Sequence, residues 1–214
     1  MMADDSSEPK TYKRPVLDNV FHLLDLMRLR PGMFVRDGSL RELQTLLAGY
    51  DTALDTHGVD EGVPRMSHFS GWLRYKTDWP LALGWATAIE HNLVDGESAL
   101  ETFFRLTDEY RKLRPTVLCS ATLGPQHAAT GRRIVIGMNS RQPTPMAVDV
   151  IQYRPEPLHF LRFHYPDGPE IRSILMDNTG SHASTAEFAR QWVEEEFQVL
   201  PEEWRSPHPP TLPR

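Results

Sequence analysis

Phe103-Phe-Arg-Leu-Thr-Asp-Glu-Tyr-Arg-Lys-Leu-Arg-Pro-Thr-Val-Leu-Cys-Ser-Ala-Thr122 is where the chain changes its grammar. Up to Leu113 the apolar residues recur every three or four positions, the spacing of one helix face. Pro115 ends that pattern, and beyond it prolines become frequent and β signals take over. The expected fold class is therefore α+β, an N-terminal helical unit followed by a small antiparallel sheet with a C-terminal helix.

Working back from the boundary, Ser98 and Glu101 form a capping box for a helix that turns Leu100, Phe103, Phe104, Leu106 and Tyr110 inward. Trp79 to His91 is apolar almost all round and reads as a central core helix. Met66 to Tyr75 reads as a short amphipathic helix. A second capping box, Ser39 with Glu42, opens a helix whose Leu40, Leu43, Leu47, Tyr50 and Leu54 share a face, and Gly58 closes it. Val16, Val20, Leu23, Leu24 and Met27 mark the first helix. It should stop near Leu29, because Pro31 disfavours a helical Arg30 and Gly32 frees the turn. The Arg30-Pro-Gly-Met-Phe34 turn is expected to set the angle between the first two helices, with Met33 and Phe34 beneath them.

Working forward, Thr116–Thr122 reads as a strand or a linker. Arg133–Met138, Ala147–Tyr153 and Leu158–Tyr165 read as strands. Leu158–Tyr165 alternates as a half-buried strand would, with Phe160 and Arg162 on one face and Leu161 and Phe163 on the other. Pro166-Asp167-Gly168 is a turn, and Ile171 to Met176 returns as the hairpin partner. Ser184 and Glu187 make a third capping box before Phe188, Trp192, Val193 and Phe197. The expected organisation is a disordered tail over 1–14, a helical unit over 15–114, a sheet with one helix over 115–206 docked on that unit, and an extended proline-rich tail over 207–214.

Composition narrows the function. A net charge of −6 argues against a nucleic-acid partner, which usually meets a basic surface. The single Cys119 excludes an intramolecular disulfide and fits a reducing cytoplasm. No apolar run approaches the roughly 18 residues of a membrane span, and the acidic N-terminus is unlike a signal peptide. A soluble cytoplasmic location is therefore expected, with no membrane partner. Lysine occurs only at Lys10, Lys13, Lys76 and Lys112, which points to the arginine-rich usage of a high-GC bacterial genome.

Motifs with chemistry are sparse. His159 and His164, five apart in a strand, point to opposite faces. His164 with Asp177 and His182 across the hairpin, together with Arg154 and His159, is the candidate polar cluster for an enzyme or small-ligand site between the helical unit and the sheet. No metal-ligand spacing, nucleophile elbow or phosphate loop occurs, so no metal and no cofactor is expected. Gly131-Arg132-Arg133 reads as a loop entering a strand. The acidic pairs and runs Asp4-Asp5, Glu194–Glu196 and Glu202-Glu203 read as solvated surface, and Trp72 and Trp79 could line a pocket or an interface. No catalytic residue is assigned, and the reading favours binding of another protein over catalysis.

Two resemblances gather on the second helix. Arg30-Pro-Gly-Met33 followed by Ala48-Gly-Tyr-Asp-Thr-Ala-Leu-Asp55 looks like the start of the ATPase domain of type II topoisomerase B subunits. In that family the helix carries a magnesium-binding Asn, which this stretch lacks, as it lacks the glycine-rich motifs that follow. Arg30-Pro-Gly-Met-Phe34, Leu43 to Tyr50, Trp85 and Phe103–Tyr110 are more similar to a family of small bacterial proteins, actinobacterial in type, that share an R-P-G-M-[YF]…G-Y motif. The similarity covers residues 20–110. Some members are immunity-like proteins associated with bacterial toxin systems, so the resemblance implies a non-catalytic, immunity- or antitoxin-like protein-binding role.

Overall fold

A computed structural model of the protein describes residues 17–127, 145–165, 168–175 and 186–206, with 168–175 described for the backbone alone. The expected tails, the Arg133–Met138 strand, the Gly131-Arg132-Arg133 loop and Ser184 of the third capping box lie outside these residues.

Helix α1 (Val20–Leu29) is capped by Asn19, whose side chain accepts hydrogen bonds from the amides of Phe21 and His22. It stops at Leu29, where the sequence places its end, and Pro31–Met33 forms a single 3₁₀ turn. Met33 does not tuck under the helices: it is 71% exposed, and Val35 is the buried anchor instead. The tight turn points Met33 outward, while Phe34 packs partly against the core. Helix α2 (Leu40–His57) begins on Ser39, whose hydroxyl accepts from the Glu42 amide at 3.3 Å. The reciprocal half of this capping box is diverted, because the Glu42 carboxylate takes the Arg36 amide at 2.8 Å. Gly58 closes α2 in the left-handed region at φ 62°, where a side chain would be strained.

After a 3₁₀ turn over Met66–His68, α3 (Phe69–Thr77) ends on Asp78 in a left-handed conformation. The long apolar helix expected over Trp79–His91 is only α4 (Trp85–His91). Pro80 and Gly84, the latter at φ 89°, hold the intervening residues in turns. Helix α5 (Ala99–Tyr110) carries the complete expected capping box, with Ser98 and Glu101 each bonding the other's amide.

The chain then turns straight into β1 (Arg114–Thr122), so Thr116–Thr122 is a strand and not a linker. Among the described residues β5 (Trp204–Arg205) pairs with Ser120 and Ala121 alone and leaves the first half of β1 an edge, where Pro115 is tolerated. With β2 (Ala147–Arg154), β3 (Leu158–Tyr165) and β4 (Gly168–Leu175), these strands form an antiparallel sheet in the order β4-β3-β2-β1-β5. Helix α6 (Ala186–Phe197) follows β4 in the chain.

The sheet is covered on both faces. Ile151, Tyr153, Leu158 and Phe160 join the core built by α1 to α5, around Phe69, Trp72, Phe103 and Tyr110. Val148, Val150, Leu161, Phe163 and Tyr165 pack beneath Ala189, Trp192, Val193 and Phe197 of α6. Strand β3 is thus buried on both sides instead of half-buried. The fold is α+β, as the change of grammar at Pro115 implies, with the sheet sandwiched between a helical layer and a lone helix.

Candidate functional site

Strand alternation puts Ser120, Asp149, Arg162 and His164 on the same sheet face as Tyr153 and Phe160, toward the other end of the strands. There the Ser120 hydroxyl donates to Asp149 Oδ1 at 2.7 Å, and His164 Nε2 donates to Asp149 Oδ2 at 2.8 Å. Burial alone would raise the Asp149 pKa; the hydrogen bonds from His164 and Ser120 outweigh it and hold the carboxyl below its usual range. The carboxylate sits between the hydroxyl and the imidazole. A hydrolytic triad needs the imidazole in the middle to take the serine proton, and here both groups spend their protons on Asp149. Arg162 reaches from the same face to Asp60 at 2.8 Å and pins the sheet to the loop after α2.

Of the residues singled out from sequence, His164 is therefore part of a polar cluster, with Asp149 as its partner. His159 is buried on the opposite face of β3, the separation that their odd spacing implies. Arg154 is exposed at the end of β2 and reaches Gln152 at 3.4 Å. Asp177 and His182 lie outside the described residues. Cys119 is half-buried, and burial pushes its thiol up to about 11, far from the thiolate that reactivity needs.

A second polar group fills the seam between helices and sheet. Arg65 precedes the 3₁₀ turn and is bonded at both ends. Its amide donates to the Tyr153 hydroxyl at 3.2 Å, and its carbonyl accepts from the Tyr110 hydroxyl at 2.6 Å. Its guanidinium pairs with Asp55 and donates to the Val59 carbonyl. The Tyr153 hydroxyl also meets His68 Nδ1 at 2.7 Å, and the His68 ring stacks on Phe160 with centroids 4.0 Å apart. Complete burial, helped by Arg65 and Arg162, pushes the His68 pKa down to about 3, so the ring is neutral. Its Nε2 has no hydrogen-bond partner among the described residues.

Beside this seam, α2 and the Met66–Ser70 segment enclose a cleft of about 310 Å³ lined by Gln44, Asp51, Asp55, Ser67, Ser70 and Trp85 among others. Gln44 fixes one end by accepting from the Ala86 amide at 2.9 Å, which ties α2 to α4. Asp51 is only 6% exposed. Ser67 gives it a backbone hydrogen bond, yet among the described residues Oδ1 has no partner. Burial raises its pKa to about 6, against the pull of Arg65. Sequence reading passed over Asp51 although a signal was present: it follows Leu47 by four and precedes Leu54 by three, an acid inside the apolar stripe of α2.

On another side of α4, Pro80, Ala82, Leu83, Ala88 and His91 line a small, largely apolar cleft of about 170 Å³. Leu83 is 76% exposed, and Leu93 and Val94, just past the helix, are 41% and 56% exposed. Residues 77–104 contain Asp78, Glu90, Asp95, Glu97 and Glu101 and no lysine or arginine. Arg41 and Arg105 reach in from outside to Glu90 and Glu97. This shoulder of α4 thus combines exposed apolar side chains with a stretch whose own charges are acidic, two of them paired with those arginines.

In comparisons with known proteins, the chain matches no family model, and no curated protein and no solved structure is significantly similar to it.

Proposed function

We propose that this chain is a non-catalytic binding protein that docks another protein on the shoulder of α4. The observation that carries the reading is the exposure of Leu83 on this cleft and of Leu93 and Val94, which follow its lining residue Asn92 in the chain, within a stretch whose own charges are all acidic. Scattered exposed apolar residues are ordinary, but a group of them beside a concavity and rimmed by charge marks an interaction surface. The partner that complements it presents apolar side chains among lysines or arginines. The titratable groups support the same reading: His68 is buried and neutral, Cys119 is held as a thiol, and the Asp149 carboxylate accepts hydrogen bonds from both Ser120 and His164.

If the sequence resemblance of residues 20–110 to immunity-type bacterial proteins extends to function, the proposed partner is a toxin in a bacterial cytoplasm. Tagged wild-type chain and a Leu83→Asp, Val94→Asp double variant, compared as baits in a bacterial lysate, test it. The wild type retains one stoichiometric basic protein and the variant loses it. A chain that stays free and carries a bound small molecule by native mass spectrometry contradicts the proposal.

A further inference from the structure

We infer that the cleft between α2 and the Met66–Ser70 segment is a binding site for the protonated amine or guanidinium group of a ligand whose apolar part lies against Trp85 and Met66. The site is separate from the α4 docking shoulder. Its central feature is Asp51, more than nine-tenths buried on the cleft wall with Oδ1 unpartnered. An unpaired buried carboxylate is costly unless a donor reaches it. The neighbouring cation does not serve, because Arg65 is committed to Asp55 and to the Val59 carbonyl.

With Arg65 and Asp55 offsetting each other, Asp51 supplies the net charge of the cleft, and that charge excludes an anion. A metal ion is also a poor match: among the described residues no three His, Cys, Asp or Glu side chains gather as ligands. What remains complementary is an N–H cation. Asp51 would take its charge, the lining side chains of Ser67 and Ser70 would share its remaining protons, and Leu47, Met66 and Trp85 would cover its carbon skeleton. At about 310 Å³ the cleft lies at the small end of metabolite-sized pockets. The same chemistry is offered by a free amine and by a lysine or arginine side chain of a bound protein.

The test titrates the full chain with agmatine, phenethylamine, Nα-acetyl-lysine methylamide and Nα-acetyl-arginine methylamide, using phenethyl alcohol as the neutral match, and follows backbone amide resonances and heat. At least one cation should bind at a single site and shift the Ser67 and Ser70 amides, while the alcohol leaves them unmoved. Asp51→Asn, checked for folding by circular dichroism, should weaken binding by about tenfold or more, the usual loss of a charged hydrogen-bond partner. Ala48→Met, on the exposed wall of the cleft, should block it without touching the carboxyl. Binding of the free amines alone identifies a metabolite; binding of the blocked amino acids identifies a partner's side chain; both support the inference. It is overturned if no cation binds, if the alcohol binds equally well, or if both variants bind like the wild type. Leu83→Asp should leave the titration unchanged, so this site and the docking shoulder fail independently.

Discussion

Replacing Asp51 by asparagine should stabilise the protein at neutral pH and lose that advantage in acid. The reason is linkage. Asp51 has its pKa raised from 3.8 to about 6 by burial, so between those values the unfolded chain has released a proton that the folded chain still holds. Stability therefore falls as pH rises through that window and stays lowered above it. At about 1.36 kcal/mol per pH unit, the ionised carboxylate costs the folded state about 3 kcal/mol at pH 7. The asparagine amide leaves a buried polar group of its own, but that cost is the same at every pH. The quantity to measure is thus the difference in unfolding free energy between variant and wild type, by urea denaturation followed by tryptophan fluorescence from pH 4 to pH 8. It should grow by about 2 to 3 kcal/mol across the series. The difference matters more than either curve alone, because His68 acts over an overlapping range with the opposite sign. A difference that stays flat with pH, or that shrinks toward pH 8, would refute the view that Asp51 is a destabilised buried acid.

The other predictions concern groups that the fold holds in place. His68 has its pKa lowered from 6.5 to about 3, so it contributes stability above pH 6.5 that is lost progressively as pH falls toward 3; His68→Phe should remove that acid-side slope in the same denaturation series. Tyr153→Phe strips a buried partner from both the Arg65 amide and His68 Nδ1, and should cost about 1–3 kcal/mol in urea. Ser98→Ala removes the cap of α5 and should cost about 1 kcal/mol, with Ser98→Asp recovering most of it.

Local signals were legible along most of the chain, and the misreadings have specific causes. Ser98, Gly58 and Pro31 act within a turn of themselves, and each sits where its chemistry requires. Trp79–His91 misled because it is apolar almost all round, as a core helix is, while Pro80, Gly84 and the left-handed Asp78 break the backbone. The alternation of β3 could not reveal that α6 covers its second face, since a strand buried on both sides and one buried on one side differ only in what lies above them. Met33 was expected inside because it is apolar; the tight 3₁₀ turn, a matter of backbone geometry, directs it outward. In the candidate sites, the sequence joins His164 to Asp177 and His182, which lie outside the described residues; Asp149, which pairs with it, sits across a register that the sequence does not display. The network of Arg65, His68, Tyr110 and Tyr153 joins residues up to 88 positions apart, beyond the reach of any local pattern. Asp51 was the legible signal left unread.

The docking surface can be tested against a control that the fold itself supplies. Leu29, at the end of α1 beside the Arg30–Phe34 turn, is 77% exposed, much like Leu83, yet it lies outside the acidic stretch. With the captured partner in hand, its affinity for wild type, Leu83→Asp and Leu29→Asp is the decisive measurement. The α4 shoulder predicts at least about a tenfold loss for Leu83→Asp, as for a buried apolar contact replaced by a charge, and no change for Leu29→Asp. Full binding by Leu83→Asp with loss in Leu29→Asp would contradict the account and move the interface to the helix turn.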